Sequence, residues 1–134
     1  MPFVHDTSIL MSAAFADEDD RLARQILLRL DSDWAVVPAL FWFEMRDALV
    51  TGERRGRITE AQTAAFLEVM RSLTIKIDRR PAEMRILDLA RHHRLTVYDA
   101  AYLELAWRRN WALATNDAAL VRAAGLEKVS LWPA

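Results

Sequence analysis

Short apolar runs alternate with amphipathic stretches along the whole chain. Phe3-Val4-His5 has a strand pattern, and Thr7 to Phe15 follows with helical spacing. Asp17-Glu18-Asp19-Asp20 opens a second helix reaching about Leu30, because acids in a first turn complement the helix dipole. Trp34-Ala35-Val36-Val37 is a second strand closed by Pro38, followed by a long helix from about Ala39 to Arg55 with Gly52 and Gly56 at its fraying end. Thr59-Glu60-Ala61-Gln62 resembles a capping box and starts a helix to about Ser72. Leu73-Thr74-Ile75-Lys76-Ile77 alternates as a third strand. Pro81 suits the first turn of a helix lasting to about His93, and Thr96 to Arg109 forms the next. Trp111-Ala112-Leu113-Ala114 is a fourth strand, Asp117 to Ala124 a short helix ended by Gly125, and Lys128-Val129-Ser130-Leu131 a possible fifth strand.

Strands separated by whole helices cannot pair as hairpins. They require right-handed crossovers, and so predict an α/β domain with a mostly parallel sheet of four to five strands and helices on both faces. The working site of such a sheet lies at the carboxyl ends of its strands. At 134 residues, one domain spanning 1–134 is expected, and 53 % hydrophobic residues supply its core. Zero Cys removes disulfides, cysteine nucleophiles and thiolate-held metals together. The net charge of −1 leaves no global field for nucleic acid, so any such contact must rest on a local patch. The N-terminus lacks the pattern of a signal peptide, and no apolar run approaches the ~18 residues that cross a membrane. A soluble, cytoplasmic protein with no membrane contact is the expectation.

The candidate chemistry is acidic. Asp6 ends the first strand and Asp117 follows the fourth; taken singly, each is explained as a helix cap. Asp99 lies three residues after Thr96, itself a fitting N-cap. Glu44 falls inside the apolar arc formed by Leu40, Phe41, Met45, Ala48 and Leu49, where a carboxylate costs several kcal/mol unless it is paired or bound to a cation. Glu44 is therefore either half of a core ion pair or aimed into a cleft at the sheet's edge. If the four acids converge, two carboxylates ~4 Å apart repel by roughly 4 kcal/mol at an effective dielectric of 20. A hard divalent cation relieves that repulsion, and oxygen-only ligands select Mg²⁺ or Mn²⁺ over zinc. Thr7, Ser8 and Thr115 place hydroxyls beside the acids, where they can orient them.

The segments Val4-His5-Asp6-Thr7-Ser8, Pro38-Ala39-Leu40-Phe41-Trp42-Phe43-Glu44, Leu95-Thr96-Val97-Tyr98-Asp99-Ala100-Ala101-Tyr102 and Thr115-Asn116-Asp117 occur in this order along the whole chain. Together they resemble the PIN-domain ribonucleases, most of all the VapC-type toxins of toxin–antitoxin systems. The resemblance implies a PIN-like three-layer α/β/α fold and Mg²⁺- or Mn²⁺-dependent endonucleolytic cleavage of RNA, leaving 5′-phosphate and 3′-hydroxyl ends. It also implies inhibition by a cognate antitoxin, and frequent homodimers. Carried over residue by residue, Asp6 and Asp99 are the principal metal ligands, Glu44 and Asp117 complete the acidic site, and Ser8 and Thr115 match the supporting hydroxyls. Asp47 stands where Asn is common in the family and adds a fifth acid about one helical turn from Glu44.

The rival reading is a non-catalytic PIN-like RNA-binding or regulatory module, against which all four acids being intact argues. Arg54-Arg55-Arg57, Arg91-Arg94 and Arg108-Arg109 are candidate phosphate grips, although basic residues are favoured at helix C-termini in any case. His92-His93 reads as a surface pair rather than a set of metal ligands, and His5 as a strand-end packing residue. Trp42, Phe43 and Met45 around one helix predict a partner: a homodimer, or an antitoxin whose Arg or Lys fills the acidic cleft.

Overall fold

The computed structural model describes residues 1–15 and 20–133. Its elements run β1 (Phe3–His5), α1 (Thr7–Met11), α2 (Arg21–Leu30), β2 (Ala35–Pro38), α3 (Leu40–Arg54), α4 (Glu60–Ser72), β3 (Ile75–Asp78), α5 (Glu83–His93), α6 (Val97–Arg109), β4 (Leu113–Ala114) and α7 (Ala118–Leu126). The four strands are all parallel, in the order β3-β2-β1-β4. Val4 pairs with Val36 on one side and Leu113 on the other, so β1 is central. All three residues of β1 are buried, as a parallel strand covered on both faces requires.

Helix α6 is the hub of the core. It packs against β1, β2, β4, α5 and α7. Ala100 to Ala106 are buried without interruption, so this helix meets protein on every side. His5 is fully buried and meets Phe41 edge-on, which bears out its reading as a packing residue. Helix α4 starts as expected, with Thr59 and Gln62 closing a reciprocal capping box.

Several expected boundaries shift. The acidic run at 17–19 lies outside the described residues; Asp20 caps α2 by accepting from the N–H groups of Leu22 and Ala23. Helix α1 stops at Met11 rather than Phe15, and Phe15 is buried against Gly52. A Cβ at Gly52 would come within 2.5 Å of the Phe15 ring, so Gly52 is a buried contact of α3 rather than a mark of fraying. Pro38 lies inside β2, level with Asp78, instead of after it. Gly125 sits within α7. The fifth strand reduces to a single bridge between Leu113 and Leu131. Among the described residues, no helix is long and apolar enough to cross a membrane.

Candidate active site

The carboxyl ends of β1 and β4 deliver Asp6 and Thr115 side by side, on the two strands flanking the point where strand order reverses. Asp6 caps α1, its Oδ1 accepting from the Ile9 N–H at 2.9 Å and the Ser8 hydroxyl at 3.3 Å. Its Oδ2 accepts from the Thr115 hydroxyl at 2.5 Å. The capping role and a role in a site are thus compatible in one carboxylate. Burial pushes the Asp6 carboxyl above its ordinary pKa; the hydrogen bonds from Thr115, Ile9 and Ser8 act the other way, and the charge of Asp99 adds to the rise.

Asp99 stands in the first turn of α6, where its N–H donates to the Thr96 hydroxyl at 3.0 Å. Its carboxyl is also pushed up, first by burial and then by the negative charges of Asp117 and Glu44. Glu44 projects from α3 and is half-buried. Its Oε1 accepts from the hydroxyls of Thr7 at 2.8 Å and Tyr102 at 2.7 Å, and those two hydroxyls lie 2.7 Å apart. Its partners here are hydroxyls, which sets aside the core ion pair. Tyr102 is buried, and burial raises its phenol pKa far enough to keep it a protonated donor.

Asp6, Glu44 and Asp99, together with Ser8 and Asp47, line one pocket of about 460 Å³. Asp117 does not line it. It is exposed and caps α7 through the Leu120 N–H at 2.9 Å, while its own N–H donates to Thr115 at 3.0 Å. Its charge nonetheless reaches Asp99. The carboxylates are spread more widely than a closed cage: among the described residues, three ligand atoms within 4.8 Å of one another occur only at His92, His93 and Glu127. An all-oxygen donor set of like charge is what a hard divalent ion fits.

Arg55 and Arg57 line the same pocket, the Arg57 guanidinium lying 4.1 Å over the Phe15 ring. Arg108 is no phosphate grip, because Asp78 and Glu104 hold it in the scaffold. His93 departs from the surface reading. It is buried, with Nε2 2.7 Å from Glu127, whereas His92 is exposed. Tyr102 escaped the sequence reading. The available signal was its position three residues after Asp99, on the same face of α6.

The family model for the PIN domain matches residues 3–126. No curated protein matches the sequence. Among solved structures, PAE2754 from Pyrobaculum aerophilum is similar at TM-score 0.68 and 24 % identity, over 92 % of this chain and 87 % of that one. A toxin–antitoxin complex from Klebsiella pneumoniae gives TM-score 0.54 at 21 % identity, over 86 % of each chain. VapBC2 from Rickettsia felis, bound to a DNA fragment from its promoter, gives 0.60 at 16 % identity, over 87 % of this chain and 88 % of that one. At these identities the likeness is one of fold.

Proposed function

The chain belongs to the PIN domain family, and from that premise we propose that it is a Mg²⁺- or Mn²⁺-dependent endoribonuclease, the toxin of a VapBC-type toxin–antitoxin pair. PIN domains are in general metal-dependent nucleases. The observation that carries the reading is the pocket in which Asp6, Glu44 and Asp99 converge with hydroxyl partners at the carboxyl end of β1.

Asp6 and Asp99 would hold the ion, with Glu44 and Asp117 completing the acidic site. Bound there, a divalent ion would activate water and stabilise charge on the phosphoryl oxygens. The chain's own residues do the positioning. Ser8, Thr115 and the Ile9 N–H fix both oxygens of Asp6, while Thr7 and Tyr102 anchor Oε1 of Glu44. Arg55 and Arg57 give the same pocket a cationic wall suited to the phosphates flanking the scissile bond.

The partner half of the reading is supported by the similar structures that are toxin–antitoxin complexes, and by Trp42 and Phe43, which are 46 % and 71 % exposed on α3. A cognate antitoxin in the same cytoplasm and a homodimer are the partners we assign. Purified protein incubated with structured RNA should cleave it internally with Mg²⁺ or Mn²⁺, and stop in EDTA. Cleavage undiminished in Asp99→Asn would overturn the assignment. Light scattering that shows only monomer at micromolar concentration would remove the homodimer.

A further inference from the structure

Helices α5 and α7 end close together, on side chains that the acidic pocket does not use. His92 and His93 occupy the last turn of α5, and Glu127 caps the C-terminus of α7. The His93 side chain is 5 % exposed, with Nε2 2.7 Å from Glu127 Oε2. The other oxygen of Glu127 accepts from Arg85 at 2.5 Å, and the Arg85 guanidinium is braced 4.5 Å over Trp107. The exposed His92 ring meets His93 edge-on, with centroids 4.7 Å apart. One atom from each imidazole and one carboxylate oxygen all fall within 4.8 Å of one another.

We propose that His92, His93 and Glu127 form a second cation site, separate from the acidic pocket, that takes a borderline transition-metal ion of the zinc class. Two nitrogens and one oxygen form a donor set for Zn²⁺, Ni²⁺ or Cu²⁺, whereas the all-oxygen pocket suits Mg²⁺. The C-terminal ends of two helices carry partial negative charge toward the ion. Arg85 orients the ligating carboxylate from behind, as outer partners of metal sites do. Its positive charge also weakens the hold on a cation. His92 supplies the open side through which an ion enters, with water filling the remaining positions. An Arg85–Glu127–His93 staple between α5 and α7 accounts for three of these residues and gives His92 nothing to do. His92 is therefore the discriminating residue.

The test is calorimetric titration of Zn²⁺ into the tag-free chain near neutral pH, with Mg²⁺ in excess to occupy the acidic pocket. One equivalent should bind and raise the melting temperature. His92→Ala should weaken binding about tenfold or more and lose the zinc-induced rise, while its zinc-free melt matches wild type. Asp99→Asn should bind zinc as wild type does. Three outcomes overturn the site: no saturable binding at hundred-micromolar zinc, wild-type affinity in His92→Ala, or lost binding in Asp99→Asn, which would put the zinc in the acidic pocket. None of these readouts depends on nuclease activity.

Discussion

Asp78 ends β3 and Asp6 follows β1, so two acids stand at the carboxyl edge of one sheet in opposite surroundings. Asp78 accepts from Arg108 at 2.7 Å and lies 3.6 Å from Arg109; the same Arg108 bonds the fully buried Glu104 at 2.6 Å. Burial opposes ionisation of Asp78, but hydrogen bonding and charge from Arg108, with Arg109 behind it, hold its carboxyl below the ordinary range. Asp6 has hydroxyls and one N–H as partners, and its carboxyl is raised. Hydroxyls can orient a carboxylate without cancelling its charge. The difference lies in the partners: the acids around Arg108 are bonded to a guanidinium, whereas Asp6 and Glu44 are bonded to hydroxyls and an N–H, which under the proposed function keeps their charge for a bound cation.

The largest effect should come from breaking the scaffold side. Arg108→Met keeps much of the apolar stem while leaving Asp78 and Glu104 buried without their guanidinium. Removing one partner from buried ion pairs costs about 3–5 kcal/mol, and urea melts should show a loss of that size. A loss below about 1 kcal/mol, the worth of an exposed pair, would mean that solvent already serves these acids and that the contrast with Asp6 is false.

Asp99→Asn probes the other side. Cleavage should fall by about a hundredfold or more, equivalent to about 2.7 kcal/mol of transition-state stabilisation. In EDTA the same protein should be at least as stable as wild type, because the change removes like charge near Asp6, Glu44 and Asp117. Added Mg²⁺ should raise the melting temperature of wild type more than that of the variant. A variant destabilised in EDTA would move Asp99 to the scaffold side of the comparison.

The sequence exposed these two regions unequally. Asp6, Glu44 and Asp99 could be read because each has a local context: a strand end, a position in an apolar arc, and a place three residues beyond an N-cap. The sheet followed from whole helices between strands, and the capping box of Thr59 and Gln62 from spacing alone. The Arg108 network could not be read, because Arg108 and Asp78 meet across 30 residues with nothing local to mark the pair. Tyr102 reaches Glu44 across 58 residues, and Gly52 matters only because Phe15 is folded onto it. Such contacts are products of tertiary packing. The strand after Gly125 failed for a related reason: a suitable β-pattern found only one bridge to make.

The pH dependence of metal-free stability sharpens the comparison at smaller amplitude. Asp78, with its lowered carboxyl, contributes stability above its unfolded pKa, and this is lost as pH falls through the folded value. Asp6 and Asp99 do the reverse. Their raised carboxyls subtract stability as pH rises through the folded values, and the deficit is complete above them. His5, lowered by burial to about 4 from 6.5, adds stability as pH rises between those two values. The raw curve therefore mixes signs, and the difference between Asp99→Asn and wild type in EDTA isolates the site. That difference should grow in favour of the variant as pH rises through the Asp99 transition, and Mg²⁺ should reverse it. A pH-independent difference would mean that neither burial nor the charges of Asp117 and Glu44 raise the Asp99 carboxyl.

The smallest effect on cleavage is the most specific. Tyr102→Phe removes one of the two hydroxyls on Glu44 Oε1 and leaves Thr7 in place. A hydrogen bond to a charged carboxylate is worth about 1.5–3 kcal/mol net, so the stability loss should stay within that range and the buried ring should keep its packing. Cleavage should fall by about tenfold or less, well short of the Asp99 loss, because Glu44 remains present but is held by a single donor. If Tyr102 acts through Glu44, kcat should drop while KM for RNA stays near wild type, and Glu44→Gln combined with Tyr102→Phe should be no worse than Glu44→Gln alone. A purely structural tyrosine would show the same loss of stability and leave kcat per folded molecule untouched. That result would return Tyr102 to the core, leaving Thr7 as the hydroxyl that positions Glu44.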